Sequence, residues 1–481
     1  MLMEIEKIND NKFTVRKGAS PGMNTGIMIY TDKSMLEKML SDRTLQQALN
    51  ATTLPGLAGD VLLMPDAHEG YGFPIGGVMA SDSETGIISP GSVGFDIGCG
   101  VRLIKTNLEE EEVRKKMAQL SDSLFKNIPS GVGSRLQIGL MQSDLEKVAE
   151  DGADYIIGKG FGVKDDAERT EELGAMIGAD FSKISKEAKS RGLHELGTLG
   201  AGNHFLEVQK VEKVFEKRIA ESYGLYEGQI VVMVHTGSRG FGHQICSDYL
   251  RELVEYQKRS NITLVDRELS YANIGSREAD DYLCAMKCAV NFAFTNRQII
   301  TNSIRKSFGE TFGKSPDALG MDMLYDLSHN IVKLEEHMVA GMKKEVYVHR
   351  KGATRAFAKG REEIPKAYRQ VGQPVLIPGS MGTASYVLCG GEGAMKDTFG
   401  SACHGAGRVM SRHQALRDIP AERTFESLRK KGIEIRIRTR KLISEEAEWT
   451  YKDIDKVIAV VNNCDMAKPV SRNVPISVIK G

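Results

Sequence analysis

Gln229–His235 reads QIVVMVH, and the run continues from Thr236 as TGSRGFGH. The first seven residues form an apolar stretch of strand length bounded by polar chain, which predicts a buried strand. It delivers a histidine, His235, into a glycine-bearing polar loop. Outward from this strand, Asp280–Ser307 is a long helical pattern, and Glu345–His349 and Pro374–Ile377 are further strands. Ile433–Leu442 alternates, with Ile433, Ile435 and Ile437 on one face and Glu434, Arg436 and Arg438 on the other, which predicts a half-buried strand with a basic outer face. Toward the N-terminus, a short strand is expected near Asn11–Lys17, a helix near Ser34–Asn50, and strands and turns over residues 61–106. The run LEEEEVRKKMAQLSDSLFKNI then predicts a helix capped by Asn107, with acids in its first turn. Strands and helices alternate without a regular βαβ rhythm. The expected class is α+β: a single large domain over residues 1–481, with mixed sheets, surrounding helices and a helical subdomain inserted at 107–190.

The chain has 481 residues, with 64 basic against 64 acidic side chains and 50 glycines. A balanced charge excludes coating of nucleic acid by bulk attraction, so a nucleic-acid partner would need a local basic patch. The seven cysteines include no CxxC pair, which suits free thiols in a reducing compartment. Cys284 and Cys288 lie four apart in a helical segment and are expected to be core residues. The opening run MLMEIEKINDNKF lacks the apolar stretch of a secretory signal, and no segment approaches the ~18 apolar residues of a membrane span. A cytoplasmic protein without membrane contact is the expectation.

Residues 90–100 read PGSVGFDIGCG. Flanking glycines leave the Cys99 sulfur approachable, and Asp96 is near enough to share a turn with it. A thiolate at neutral pH needs a positive neighbour, and a metal ion supplies one; the alternative for this segment is a buried core cysteine beside a turn aspartate. Three histidines in unusual contexts extend the donor set: His204 in GAGNHFLE, His235, and His329 in DLSHN. One Asp, one Cys and three His suffice for two divalent ions with the sulfur able to bridge them; zinc, manganese or iron would suit such ligands. His404 differs. It precedes Gly405, Ala406 and Gly407, whose backbone could cradle phosphate, and Arg408 and Arg412 follow one helical turn apart. An imidazole there is a candidate nucleophile on phosphorus, a metal ligand or a turn residue. A second phosphate loop is suggested at Pro378–Ser385, PGSMGTAS. The run from Gly309 to Ser315 is one residue short of a P-loop and is set aside.

Taken together, MPDAHEGYGFPIGGV, GSVGFDIGCGVR, LGTLGAGNHFLEV, HTGSRGFGH, DLSHN, HRKGATRA, PGSMGTASYV and SACHGAGRVMSR, with Lys480-Gly481, closely resemble the RtcB family of RNA-splicing ligases. The resemblance runs from about residue 61 to 481. It implies a ligase dependent on GTP and two manganese ions, which joins an RNA 2′,3′-cyclic phosphate or 3′-phosphate to a 5′-hydroxyl in tRNA splicing or RNA repair. His404 would carry GMP. Asp96, Cys99, His204, His235 and His329 would hold manganese, with Cys99 bridging. GTP contacts are implied for Asn203, His204, Phe205, Leu206, Glu207, His329, Asn330, Pro378, Gly379, Ser380, Met381, Ser385, Gly405, Ala406, Gly407, Tyr451 and Lys480, with Glu207 and Lys480 reading guanine and anchoring the nucleotide. Asp66 would handle the 5′-hydroxyl, while Arg239, Lys351, Arg408 and Arg412 would meet RNA phosphates. An archease-type activator is a further implied partner. A cyclic-phosphate phosphoesterase and a guanine-nucleotide-binding module are the alternatives.

Overall fold

A computed structural model describes residues 4–136 and 139–481; the first three residues of the N-terminal run and two positions of the 107–190 stretch lie outside the described residues. The strand at Gln229 forms as expected. In the larger sheet the strands are β1 (Gly100–Glu109), β2 (Phe205–Val214), β3 (Gln229–Thr236), β4 (Met323–Ser328), β5 (Pro374–Ile377), β6 (Ser385–Gly390), β7 (Glu434–Ile437) and β8 (Ala467–Lys480). They lie in the order β4-β1-β3-β2-β8-β6-β5. All these neighbours are antiparallel, and β7 pairs parallel with the far end of β8. Every residue of β3 is buried, which is why Ile230–Val234 is an unbroken apolar run rather than an alternating one. A second sheet has seven strands, including Val61–His68 and Ile75–Asp82, and contains one parallel pair. The class is therefore α+β with mixed sheets. Among the described residues no helix is long and apolar enough to cross a membrane.

Two helices position the site. The first, α1 (Arg239–Arg259), begins immediately after the TGS turn. Reading TGSRGFGH as a loop missed this onset, because two glycines sit in the first turn where helix propensity is poor. The second, α2 (Arg277–Phe312), spans 36 residues and is capped by the Ser276 side chain. Its middle is buried all round, including Cys288, while Cys284 is only partly buried. The helices that follow β1, among them Met117–Asn127 and Gln142–Asp151, pack on α2. Leu145, Val148 and Ile156 enter the same apolar cluster as Phe292 of α2 and Phe241 of α1.

Three local expectations are corrected. Asn107 caps no helix: β1 continues to Glu109, which forms a capping box with Glu112, because the Asn107 N–H and side chain are taken by the carbonyls of Leu319 and Ala318. The helix near Ser34–Asn50 is two helices, Lys33–Leu40 and Thr44–Ala51, the second entered where the Asp42 carboxylate accepts the Thr44 N–H. The strand at Ile433–Leu442 stops at Ile437 and a helix follows at Arg440–Glu445. Its alternation fails because Ile443 packs beside Ile433 and Val478 from helical rather than extended chain.

Candidate active site

Five donors meet where β1, β2, β3 and the β4 turn end side by side. Cys99 precedes β1, His204 precedes β2, His235 lies near the end of β3 and His329 follows β4. The sulfur of Cys99 lies 3.5 Å from His204 Nε2 and 3.4 Å from His235 Nε2. His235 and His329 bring their Nε2 atoms within 3.2 Å, and His204 Nε2 is 2.9 Å from Asp96 Oδ2. The donors form two groups, Cys99–His235–His329 and Asp96–Cys99–His204, with the donor atoms of each within 4.8 Å of one another. Cys99 belongs to both. Such crowding of buried S and N donors with the partly buried Asp96 carboxylate fits a two-ion centre with a shared sulfur.

The state of these groups agrees. Burial holds the His235 and His329 imidazoles well below the usual histidine range, so they are neutral and offer a lone pair. Burial and the neighbouring Asp96 push the Cys99 thiol well up, a cost that a bound cation would reverse. Burial also acts against the Asp96 carboxylate, but the hydrogen bond from His204 and the charges of His243 and Arg239 outweigh it. Behind the donors, the Asn203 carbonyl lies 3.1 Å from His235 Nδ1, and an Arg239 nitrogen lies 3.2 Å from His204 Nδ1. These contacts orient the rings from behind.

The glycines around Cys99 have a structural reason that access alone does not supply. Gly98 has φ +72°, and a Cβ there would meet Val290 and Ala293 of α2 at 3.0 Å; a Cβ at Gly100 would collide with the Leu327 carbonyl of β4. The turn is thus pressed between α2 and β4. Arg297 of α2 fastens it: one guanidinium nitrogen donates to the carbonyls of Gly98 and Thr236, both at 2.9 Å, beside two of the donors. Its Nε pairs with Asp326 at 2.8 Å, and Arg102 holds the other oxygen of that carboxylate.

A cleft of about 300 Å³ opens beside the donors. His404 stands in it, its ring 4.9 Å from that of His329. Nδ1 of His404 is 2.6 Å from Asp66 Oδ2, and the same oxygen accepts the backbone N–H groups of His404 and Gly405 at 3.0 and 3.2 Å. Asp66 is fully buried; burial opposes its charge, but His404 and Lys452 hold it below the usual carboxylate range. Lys452 donates to the carbonyls on either side of Asp66, those of Pro65 and Ala67. Asp66 Oδ1 has no partner.

Of the nucleotide contacts expected, Asn203, Phe205, His329, Asn330, Pro378, Gly379, Ser380, Met381, Gly405, Ala406, Gly407, Tyr451 and Lys480 line this cleft. Leu206 does not: strand alternation turns its side chain into the core with Ile104 and Val234. Ser385 lies beneath the loop, its hydroxyl accepting the Gly379 N–H at 3.1 Å. Glu207 is buried with Oε1 unpartnered, and burial raises its carboxyl to about 8. The four basic residues differ in what they hold. Lys351 is buried with Nζ on the carbonyls of Tyr71 and Gly91. Arg408 is spent on Glu446, the Glu445 carbonyl and Tyr451. Arg239 adopts φ +57°. Arg412 is half exposed, 3.8 Å from Glu446.

Sequence reasoning missed Glu446, Lys452 and Arg297. Glu446 is a buried carboxylate at the cleft wall that gathers Arg408, Tyr451 and, at 3.4 Å, Lys480. Nothing marks it within the acidic run SEEAE. Arg297 carried a signal, an arginine inside the otherwise uncharged run NFAFTNRQIITN, which implies a buried partner.

Comparison with known proteins bears on the same residues. The family model described as tRNA-splicing ligase RtcB matches residues 47–481. The chain is 52% identical over 453 residues to the tRNA-splicing ligase RtcB of Thermococcus kodakarensis, covering 94% of each chain. It is 50% identical over 480 residues to that of Pyrobaculum aerophilum, covering 99% of each, and 45% identical to that of Methanococcus maripaludis over the full length of both.

Proposed function

The chain belongs to the RtcB family, and from that membership we propose that it is an RNA ligase acting in tRNA splicing or RNA repair, dependent on GTP and manganese. It joins a 2′,3′-cyclic phosphate or 3′-phosphate end to a 5′-hydroxyl end. The observation that carries this reading is His404, held by a buried carboxylate within one ring of a five-donor cluster.

Asp66 Oδ2 lies 2.6 Å from His404 Nδ1 and favours a proton on that nitrogen, which leaves the Nε2 lone pair as the nucleophile. Water first opens a cyclic end to a 3′-phosphate. Nε2 attacks the α-phosphorus of GTP, forming a P–N bond as the bond to the bridging oxygen breaks and pyrophosphate leaves. An oxygen of the RNA 3′-phosphate then displaces the imidazole from GMP. Finally the 5′-hydroxyl oxygen attacks the 3′-phosphate phosphorus, its proton is lost and GMP leaves. Asp66 Oδ1 is the acceptor assigned to that hydroxyl. Asp96, Cys99, His204, His235 and His329 would hold the ions, which supply positive charge to the phosphoryl oxygens. Glu207 and Lys480 bind the guanine end, with the Pro378–Ser385 and Gly405–Gly407 backbones around the phosphates. Arg412 is the basic head group best exposed to RNA phosphate; Arg239, Lys351 and Arg408 support the cleft around it. An archease-type activator is the protein partner in this reading.

The test is covalent labelling. Protein incubated with manganese and α-labelled GTP should carry label through a denaturing gel, and His404→Ala should carry none. An unlabelled wild type that still opens cyclic phosphates would make it a phosphoesterase. GTP binding without either reaction would make it a binding module.

A further inference from the structure

The cleft has an aromatic group that the reaction above does not use. Tyr71 and Phe95 both line it. Their ring centroids are 5.0 Å apart at 66°, and the imidazole of His243 stacks on Phe95 at 5.8 Å and 20°. Tyr71 is 40% exposed, an unusual position for a large ring beside a buried catalytic cluster.

Both rings sit on fixed backbone. Lys351 donates to the Tyr71 carbonyl, and the next residue, Gly72, donates its N–H to Glu268 at 2.7 Å. Phe95 directly precedes Asp96, whose carbonyl accepts from Cys99 N–H at 3.0 Å and from Asn330 Nδ2 at 3.0 Å. A rigid, partly wet aromatic pair within one residue of a donor loses little entropy on covering a flat ligand. Nucleobases are such ligands: every base has a π face, and stacking on aromatic side chains tolerates any sequence. Three nucleobases belong to the reaction, the guanine of GTP and the bases at the two RNA termini being joined. Guanine has edge donors that call for a hydrogen-bond acceptor, and the buried, unpartnered Oε1 of Glu207 offers one on β2. Among the described residues no carboxylate hydrogen-bonds to the Tyr71 hydroxyl, although the charges of Glu268 and Asp266 reach it. His243, on α1, places a polarisable ring beside Phe95 instead.

We infer that Tyr71 and Phe95 form a stacking platform for the unpaired terminal base of the RNA being joined. The inference rests on the RNA-ligase reading. It makes the ligase selective for a single-stranded terminus and indifferent to which base stands there.

The test measures Kd of the full chain, with manganese, for single-stranded RNA carrying its terminal base or an abasic terminus, prepared separately at the 3′-phosphate and 5′-hydroxyl ends. Wild type should bind one of the two abasic RNAs about tenfold more weakly than its parent. Tyr71→Ala and Phe95→Leu should each bring that ratio toward one, and Tyr71→Phe should retain it. The ratio is taken within each protein, so a variant that is only partly folded still reports it. Equal binding of parent and abasic RNAs by wild type would overturn the platform while leaving the ligase reading intact. A ratio that persists in both ring-removing variants would do the same. So would a tenfold loss of GTP binding in those variants with the RNA ratio unchanged, which would assign the rings to guanine. Failure to bind any RNA would instead overturn the ligase reading and this inference together.

Discussion

Cys99 differs from its four companions because its sulfur belongs to both donor groups. If the two groups each hold a manganese ion as proposed, Cys99→Ala should lower bound manganese from two ions per chain toward none, whereas Asp96→Ala and His329→Ala should each leave one. Elemental analysis after dialysis against buffered manganese distinguishes these outcomes. Glu207 gives a pH prediction. Its folded carboxyl titrates near 8 against an ordinary value of 4.5, so the folded chain holds a proton that the unfolded chain gives up between those values. Stability should fall as pH rises through that window, with an upper slope of roughly 1.4 kcal/mol per pH unit from this group. Glu207→Gln should flatten the dependence in urea melts at pH 5, 6.5 and 8. At this scale the sequence was legible where chemistry forces an odd residue into an odd context. The donors and His404 stood among glycines and small residues, and the fold brings them together. Glu446 and Lys452 were illegible because an acid or a lysine in polar chain looks the same whether it is exposed or buried; only the fold puts Arg408 and Lys480 around one and the Asp66 turn around the other.

Helix α2 works as a frame. Asn296 bonds the carbonyls of Thr198 and Gly237, each at 3.1 Å, and Arg297 bonds those of Gly98 and Thr236. One turn of one helix thus fixes three turns that carry donors. Arg297→Leu leaves those carbonyls and half of the Asp326 carboxylate unpaired, which should cost about 3–5 kcal/mol of stability. Chemical denaturation of the metal-free protein measures it, and Arg297→Lys should recover only part, since an ammonium cannot reproduce the guanidinium fork. Elements with one strong period were readable: β3 by its unbroken apolar run, α2 by its length. The boundary at Arg239 was not, because a helix opened by Arg-Gly-Phe-Gly is held by its surroundings rather than by propensity. The Gly240 N–H is taken by Glu195, and a Cβ at Gly242 would strike Ser238. The break after Ile437 was equally hidden, since a four-residue pairing with β8 leaves no trace in a longer alternation.

At the scale of the molecule, the donors come from segments far apart in sequence, and β8, which carries Lys480, lies inside its sheet between β2 and β6. Metal affinity is then folding free energy. Manganese at a hundred times its Kd should stabilise the chain by about 2.7 kcal/mol per independent ion, seen as a concentration-dependent rise in Tm. Cys99→Ala should show no such rise. The order of strands was beyond the sequence, because strand pairing between distant segments has no local signature; the class, α+β with mixed sheets, was within reach. The scattered origin of the donors also has a meaning for the cell that makes this chain. A copy stalled in synthesis before His329, or clipped and partly unravelled, holds fragments of a centre and no centre. Both donor groups are therefore complete only once the chain has been made through His329.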